Sequence, residues 1–290
     1  MRILISTDTS CIVNYDTFKK YEINLFPLNV LVNDEEFLDG ITINQEQLKD
    51  AMRSGQKIHT STPPLGDVIS YFEELLNKGY DHIIHFTISS QLSSMNTLFS
   101  NVAKQHFDGK VTVIDSLGLS TTMLAQVFTA YDDVQQGKSV EEIVAHVNER
   151  INKDYLVFIP ENLTALKNGG RISPAIAMIG NVIGIKPVIN LIDGKLEKAK
   201  MARKVKQTFN EEIDAKIASF PCEEYDYSLI GFDANATIFE HIFSYLQNKM
   251  GDNKAVQGLI PINVCAHCGP GTIGFTVTKK INGKSLYDFI

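Results

Sequence analysis

The sequence lacks several features that define whole classes of protein. Tryptophan is absent, and four cysteines are too few for a disulfide scaffold in a chain of 290 residues. The longest apolar region, residues 172–192, is interrupted by two prolines, an asparagine and a lysine, which excludes a clean membrane-spanning helix of about 20 residues. The chain reaches Asp8 after only a short apolar run, so we expect no secretion signal and a cytoplasmic protein.

The sequence also gives little support to nucleotide, nucleic-acid or metal chemistry. Its 27 basic residues are outnumbered by 34 acidic ones, and a net charge of −7 is unsuited to neutralising nucleic-acid phosphates. No G-x-x-x-x-G-K-[ST] phosphate loop is present, and the G-x-G-x-x-G match at residues 269–274 precedes a predicted strand where a nucleotide site needs a helix. Cys265 and Cys268 lack a second ligand pair at similar spacing. We therefore predict no cofactor, no metal and no nucleic-acid partner.

Alternating apolar strands and amphipathic helices predict an α/β fold for the first half of the chain. Hydrophobic residues make up 44% of the sequence and charged residues 21%, the balance of a globular protein with a core. Strands are predicted at residues 2–6, 24–32, 82–88 and 111–114, and helices at 45–53, 65–77, 95–105, 119–136 and 140–151. This order is typical of βαβ units and predicts a mostly parallel sheet.

The second half has a different pattern, which predicts a mixed α+β arrangement. Residues 187–192 and 195–201 flank Asp193-Gly194, which is typical of a β-hairpin. Further strands are predicted at 155–159, 228–232, 256–265 and 274–278, with helices at 204–218 and 237–249. The net charge changes from −9 over residues 1–150 to +2 over residues 151–290. We therefore predict two domains, residues 1–153 and 154–290.

Three loops rich in hydroxyl groups adjoin the predicted elements. They are residues 7–10 after the first strand, 60–63 before a helix, and 89–94 after another strand. Loops at the carboxyl ends of parallel strands line the ligand crevice of an open sheet, and helix N-termini there offer free N–H groups to an anion. Serine and threonine are also ordinary helix caps. The loops are therefore interpreted either as caps or as an anion site.

The second half adds cationic and titratable candidates. Arg171 lies in a Gly-Gly-Arg turn, and His267 precedes a Gly-Pro-Gly turn, where it is either a binding group or an ordinary core histidine. Six cations occur within residues 195–206 against one acidic residue. This basic stretch, which contains Arg203, is either a solvated face or a docking surface for a partner or for phosphate.

Eight short motifs occur in order along residues 7–274. They are Thr7-Asp-Thr-Ser10, Pro27-Leu28 followed by Asp39-Gly40, Thr60-Ser-Thr-Pro63, Ile88-Ser-Ser-Gln-Leu-Ser93, Val113-Ile-Asp-Ser116, Leu166-Lys-Asn-Gly-Gly-Arg-Ile-Ser173, Ile185-Lys-Pro187 and His267-Cys-Gly-Pro-Gly271. Together they resemble the DegV family of bacterial fatty-acid-binding proteins, the lipid-presenting (FakB-type) subunits of fatty acid kinase.

The resemblance implies a two-domain α/β protein, not an enzyme on its own, with a lipid tunnel between its domains. Such a protein holds one long-chain fatty acid and presents its carboxylate to a separate ATP-binding kinase, which forms an acyl phosphate for phospholipid synthesis. Exchange of the lipid implies transient contact with a membrane surface. The residues implied for carboxylate binding are Thr60, Ser61, Ser89, Ser90, Ser93, Arg171, His267, Gly269 and Gly271. Those implied for kinase docking are Lys200, Arg203 and Lys204.

The apolar segment around residues 172–185 is suited either to a tunnel wall or to an ordinary core, because its small residues leave room. The predicted acyl-tunnel residues are Ile172, Ile176, Ile179, Ile183 and Ile185. This sequence departs from the family's usual pattern beside the predicted carboxylate site, where Gln91 and Ser94 replace glycines and Met95-Asn96 replaces Thr-Tyr.

A stand-alone serine hydrolase acting on lipid esters is the alternative function. His267 would activate one of the serines, and Asp8 or Asp115 would orient the imidazole. No G-x-S-x-G motif is present to support it. A nucleic-acid-binding regulator that uses the basic stretch is disfavoured by the acidic total.

Overall fold

The computed structural model describes residues 1–11, 15–172 and 184–290. The strands of the first half are β1 (Ile3–Asp8), β2 (Asn24–Phe26), β3 (Asn29–Val32), β4 (Glu35–Leu38), β5 (Ile58–Ser61), β6 (His82–Thr87) and β7 (Val111–Asp115). Its helices are α1 (Tyr15–Lys20), α2 (Gln45–Arg53), α3 (Leu65–Asn77), α4 (Met95–His106), α5 (Ser120–Gln135) and α6 (Val140–Arg150).

The elements of the second half follow the same order along the chain. Its strands are β8 (Tyr155–Ile159), β9 (Lys186–Ile192), β10 (Lys195–Ala202), β11 (Tyr225–Phe232), β12 (Ala255–Leu259) and β13 (Thr272–Lys279). Its helices among the described residues are α7 (Thr164–Gly169), α8 (Val205–Ser219), α9 (Ala236–Met250) and α10 (Ile262–Cys268). Short 3₁₀ turns lie at Thr9–Cys11 and Leu286–Asp288.

A four-stranded parallel sheet, in the order β2-β1-β6-β7, forms the centre of the first half. Both faces of this sheet are covered, so β6 is buried along its whole length and β1 is buried from Leu4 onward. Leu4 packs with Phe72 of α3 and Phe99 of α4, whereas Ile5 packs with Phe128 of α5. The predicted parallel α/β arrangement is therefore confirmed.

The second half contains a six-stranded mixed sheet, in the order β10-β9-β8-β13-β11-β12. Among the described strand pairs of this sheet, only β11–β12 is parallel. The hairpin β9–β10 turns at Asp193 and Gly194, whose φ angles of 48° and 77° are the positive values that an Asp-Gly hairpin turn requires. The predicted mixed architecture is confirmed, and the domain boundary between residues 153 and 154 stays a prediction.

A small antiparallel sheet, β4-β3-β5, belongs to the first half of the chain and packs against the second half. Val30 of β3 and Leu48 of α2 share one buried cluster with Leu156 of β8, Ile230 of β11 and Leu166 of α7. This shared cluster surrounds the cavity described below. Its side chains come from both halves, so the two halves hold the cavity wall in common.

Prolines explain two errors in the predicted elements. The strand predicted at 24–32 is interrupted at Pro27, which has no N–H for a ladder, and it forms β2 and β3 instead. The strand predicted at 256–265 ends at Leu259, and Pro261 immediately precedes α10. His267 therefore lies in the last turn of a helix, not beside a strand. The helices α1 and α7 and the strands β4 and β5 were absent from the predicted set.

The described residues show neither a helix long and apolar enough to cross a membrane nor a cluster of three metal-ligating side chains.

Candidate ligand-binding site

A cavity of about 980 Å³, counting its open mouth, lies between the parallel sheet and the mixed sheet. Its wall is largely apolar and draws on both halves of the chain, with Leu28, Ile88 and Leu119 from the first and Leu156, Phe158 and Ile230 from the second. Strand alternation produces this wall, because Leu156 and Phe158 face the cavity cluster whereas Val157 and Ile159 face the core under α8 and α9.

Hydroxyl groups and one imidazole form a polar region in this apolar wall. Thr60 and Ser61 come from the end of β5, Ser93 from the β6–α4 loop, and His267 from the last turn of α10. Thr60 Oγ1 lies 2.9 Å from His267 Nε2. Ser93 Oγ accepts a long hydrogen bond of 3.4 Å from the Met95 N–H, which leaves its hydroxyl proton available. Four predicted site residues therefore line one cavity.

His267 is neutral at physiological pH. Burial, followed by the neighbouring Arg171 charge, lowers the pKa of its imidazole to about 4. Its Nδ1 is buried and has no hydrogen-bond partner among the described residues. A proton on Nδ1 would be a buried donor without an acceptor, so Nε2 carries the proton and donates to Thr60 Oγ1. The Thr60 hydroxyl is then free to donate into the cavity.

Gly169 leaves the space that the His267 ring fills. A Cβ atom at this position would lie 2.3 Å from His267 Nδ1, closer than carbon and nitrogen approach without a bond. This packing could not be predicted from the sequence, because Gly169 and His267 lie far apart in the chain. The first glycine of the Gly-Gly-Arg stretch therefore positions the imidazole.

Arg171 also lines the cavity, but its guanidinium is already engaged. Nε donates to the Leu92 carbonyl at 3.1 Å, and Nη1 donates to the Gly169 carbonyl. Burial lowers the pKa of this arginine. Two of its five N–H groups are committed to backbone carbonyls, so Arg171 contributes positive charge near the polar region, and a bidentate clamp through Nε is blocked.

Four residues implied for carboxylate binding are not among the described residues that line the cavity. Ser89 is fully buried and donates to the Gly194 carbonyl at 2.7 Å, which ties the β6–α4 loop to the β9–β10 hairpin. The Ser90 N–H donates to Asp115. Gly269 and Gly271 have φ angles of 81° and 82°, so their role in the structure is to shape the turn after α10.

Two of the five predicted acyl-tunnel residues do not line the cavity, and the other three lie outside the described residues. Ile176, Ile179 and Ile183 lie outside the described residues. Ile172 is buried in the cluster around the cavity without lining it, and Ile185 lines a separate surface groove. Among the described residues, the strand faces of β8 and β11 supply part of the apolar wall, and the assignment of Ile176, Ile179 and Ile183 stays a prediction.

The basic stretch is divided between paired and unpaired side chains. Lys200 lies 2.8 Å from Glu212 and 3.8 Å from Glu211 across to α8. Arg203 and Lys204 are exposed at the start of α8, line the groove that contains Ile185, and form no ion pair with a described residue. Of the three residues implied for kinase docking, Arg203 and Lys204 are therefore free of ion pairs to described residues, whereas Lys200 is paired.

The cavity is also lined by a second set of polar residues, none of which is among the predicted site residues. They are Ser10, Ser120 and Asn263. Asp39 holds Asn263 in place: its carboxylate accepts from the Asn263 backbone N–H and also from Tyr15 and Thr9. Burial raises the pKa of Asp39 to about 7. The hydroxyl-rich loop at residues 7–10 was the one sequence signal for this region.

Replacing Asp39 by asparagine is expected to change how stability depends on pH. The folded protein binds a proton at Asp39 more readily than the unfolded chain, whose carboxyl has a pKa of 3.8. The contribution of Asp39 to the stability of the wild-type protein therefore falls as pH rises from about 4 to about 7, by up to about 1.4 kcal/mol per pH unit, and Asp39→Asn lacks this contribution. Urea unfolding of both proteins across that range measures it. An equal dependence of stability on pH in wild type and Asp39→Asn would contradict the assignment. The control is Asp67→Asn, at an exposed position of α3.

The geometry does not support the hydrolase alternative. His267 Nε2 pairs with a threonine, and no described carboxylate contacts its Nδ1. Asp8 accepts from the backbone N–H groups of Ser10 and Ile88, and Asp115 accepts from those of Ser90 and Leu117. A serine–histidine–aspartate arrangement is therefore missing from the described residues. Burial also raises the pKa of the Cys265 thiol, which keeps it protonated.

The fold and the cavity define a class of α/β proteins in which two sheets enclose an apolar cavity with a polar region of hydroxyls and a neutral imidazole beside one arginine. The chain belongs to the DegV family, as predicted: the family model, described as "Uncharacterised protein, DegV family", matches residues 2–280. A DegV domain-containing protein of Staphylococcus aureus strain MRSA252 is 30% identical over 282 residues, which cover 96% of this chain and 99% of that protein.

Solved structures show the same fold. A fatty-acid-binding DegV family protein from Thermus thermophilus is 26% identical, with a TM-score of 0.86 over 96% of this chain and 100% of its own. A stearic-acid-binding protein from Eubacterium ventriosum is 21% identical, with a TM-score of 0.84 over 96% of this chain and 98% of its own. At 21% identity, the similarity to the Eubacterium ventriosum protein shows a shared fold only.

Proposed function

We propose that this protein binds one long-chain fatty acid, with the carboxylate at Thr60, Ser93 and His267 and the acyl chain along the apolar wall. The observation that carries the proposal is the cavity itself, which combines a mostly apolar wall with a hydroxyl–imidazole pair that is neutral at pH 7. The fatty-acid binding described for the Thermus thermophilus relative supports the same ligand class.

Burial of the acyl chain supplies the affinity. A sixteen-carbon tail gains roughly 12 kcal/mol gross at about 0.8 kcal/mol per buried methylene. Ordering of the chain and loss of its translational freedom offset a substantial part of this gain. The remainder is compatible with tight, slowly exchanging binding, which is what a protein that carries a sparingly soluble ligand needs.

The polar region suits a carboxylate that must remain reactive. A relay from His267 Nε2–H to the Thr60 hydroxyl, and from that hydroxyl to a carboxylate oxygen, holds the anion with neutral donors. A bidentate arginine would bind the carboxylate more strongly and would lower its nucleophilicity. The Arg171 donors committed to Leu92 and Gly169 leave the oxygens free for attack on phosphorus.

The proposal extends to presentation of the bound carboxylate to a separate ATP-dependent fatty acid kinase that produces an acyl phosphate. Phosphoryl transfer needs bound ATP, Mg²⁺ and positioning, and a kinase partner supplies the first two. The absence of a phosphate loop from this sequence is consistent with that division of labour. Exposed Arg203 and Lys204 form the proposed docking surface, and transient contact with a membrane during lipid exchange stays a prediction.

Thr60→Val tests the head-group assignment. Loss of one hydrogen bond to a charged group is expected to weaken fatty-acid binding about 10- to 100-fold without changing the side-chain shape. Displacement of a fluorescent fatty acid from delipidated protein measures the affinity. Thr112→Val is the matched control, because Thr112 makes a hydrogen bond of the same 2.9 Å length to His82 away from the cavity. Equal affinity in the two variants would remove Thr60 from the site.

Arg203→Ala tests the docking surface. We expect a normal content of bound fatty acid and a rate of acyl-phosphate formation with the kinase reduced about tenfold or more, because a charged contact in the complex is lost. The control is Lys198→Ala, which removes another exposed cation of the basic stretch on β10. Wild-type turnover in Arg203→Ala would show that the arginine belongs to a solvated face only.

A further inference from the structure

Asn263 places an unused hydrogen-bond acceptor in the cavity. The side chain lines the cavity and is 4% exposed, and its Oδ1 has no partner among the described residues. Asn263 and His267 are four residues apart on α10, so they lie on the same face of the helix about 6 Å apart along its axis. The free acceptor therefore lies one helical turn from the proposed carboxylate position.

The network behind Asn263 fixes which amide atom is free. Asn263 Nδ2 donates to Ser10 Oγ, 2.9 Å away. This bond commits the amide nitrogen and leaves the amide oxygen without a partner among the described residues. Asn263 Oδ1 is therefore a buried, unpaired acceptor on a residue of the cavity wall. Asp39 holds the Asn263 backbone, which prevents the amide from withdrawing.

Ser120 adds a second polar group to the same cavity. It is 2% exposed, lines the cavity, and makes no side-chain hydrogen bond to a described residue. An unsubstituted acyl chain offers neither of these groups a partner, and a buried acceptor left unpaired is costly. A hydroxyl group on the chain can donate to Asn263, and Ser120 is available to bond to the same class of substituent.

We propose that the cavity selects fatty acids that carry a hydroxyl group on the half of the chain nearer the carboxylate, with Asn263 Oδ1 as the acceptor. This inference rests on the proposed function and specifies its substrate class. The position follows from the single helical turn between Asn263 and His267, which is short compared with an extended long-chain tail.

Competitive loading tests the proposal. Delipidated wild-type protein is offered equal amounts of hexadecanoic acid, 3-hydroxyhexadecanoic acid and 16-hydroxyhexadecanoic acid, and native mass spectrometry measures which acid is bound. We expect the 3-hydroxy acid to be preferred over hexadecanoic acid about tenfold, as one additional buried hydrogen bond predicts. The 16-hydroxy acid is expected to be the poorest ligand, because its hydroxyl enters an apolar wall.

Asn263→Leu is expected to reverse the preference, because the apolar side chain leaves the ligand hydroxyl without a partner. Ser120→Ala, a smaller change, is expected to reduce the preference and serves if Asn263→Leu does not fold. Equal binding of the three acids by wild type, or an unchanged preference in both variants, would overturn this inference while leaving the proposed function intact. Failure of wild type to bind any of the three acids would overturn the proposed function together with it.

Discussion

Replacing Gly169 by alanine is expected to remove most of the fatty-acid binding, although the substitution adds a single methyl group. The new Cβ would lie 2.3 Å from His267 Nδ1, so the ring has to move and the hydrogen bond from Nε2 to Thr60 is lost. The proposed chain of hydrogen bonds from His267 through Thr60 to the carboxylate is then broken at its first bond. We expect affinity to fall about 100-fold, and displacement of a fluorescent fatty acid measures it.

Gly66→Ala is the matched control for this experiment. Gly66 also lies in a helix, and a Cβ atom there would meet no atom within 4 Å. Both substitutions improve helix propensity, so a general effect of alanine on the fold would favour stability in the two variants alike. Equal fatty-acid affinity in Gly169→Ala, Gly66→Ala and wild type would contradict the account of the imidazole.

Leu156→Trp is expected to shorten the bound acyl chain. Leu156 lies on β8 with its side chain in the cavity wall, and an indole there occupies volume that methylenes would fill. Exclusion of three methylenes weakens binding of a sixteen-carbon acid about 50-fold, whereas shorter acids lose less. Extraction of the bound lipid followed by mass spectrometry gives the chain lengths directly.

Leu259→Trp, at an exposed position of β12, is the control for the added indole. Overpacking of a wall costs typically 1–3 kcal/mol, so thermal unfolding of the Leu156→Trp protein is measured alongside. A folded Leu156→Trp protein with wild-type chain lengths would show that the acyl chain does not run past β8.

Much of the fold follows from local patterns in the sequence. The helices at residues 45–53 and 65–77 agree with their predicted bounds, and an Asn44 capping box begins the first of them. The Asp-Gly hairpin is confirmed for the same reason, since it depends on residues close in sequence. In the structure, a capping box at Ser139 likewise begins α6. The family resemblance added the order of the motifs, and the match over residues 2–280 confirms it.

The geometry of the site depends on contacts that no local pattern encodes. Gly169 and His267 meet across the space between α7 and α10, and Asn263 lies in a segment predicted as a strand until Pro261 is recognised as the start of a helix. Ser89 shows the opposite error. Its place in a hydroxyl-rich motif predicts a ligand contact, whereas its hydroxyl bonds to the Gly194 carbonyl and joins the two halves.

The most direct test of the central claim is mass spectrometry of the purified protein, first in native conditions and then after organic extraction. We predict one long-chain fatty acid per chain in the native spectrum, and the same acid in the extract. A native mass equal to that of the bare chain, together with no uptake of added oleic or palmitic acid, would contradict the claim that the cavity is a fatty-acid site.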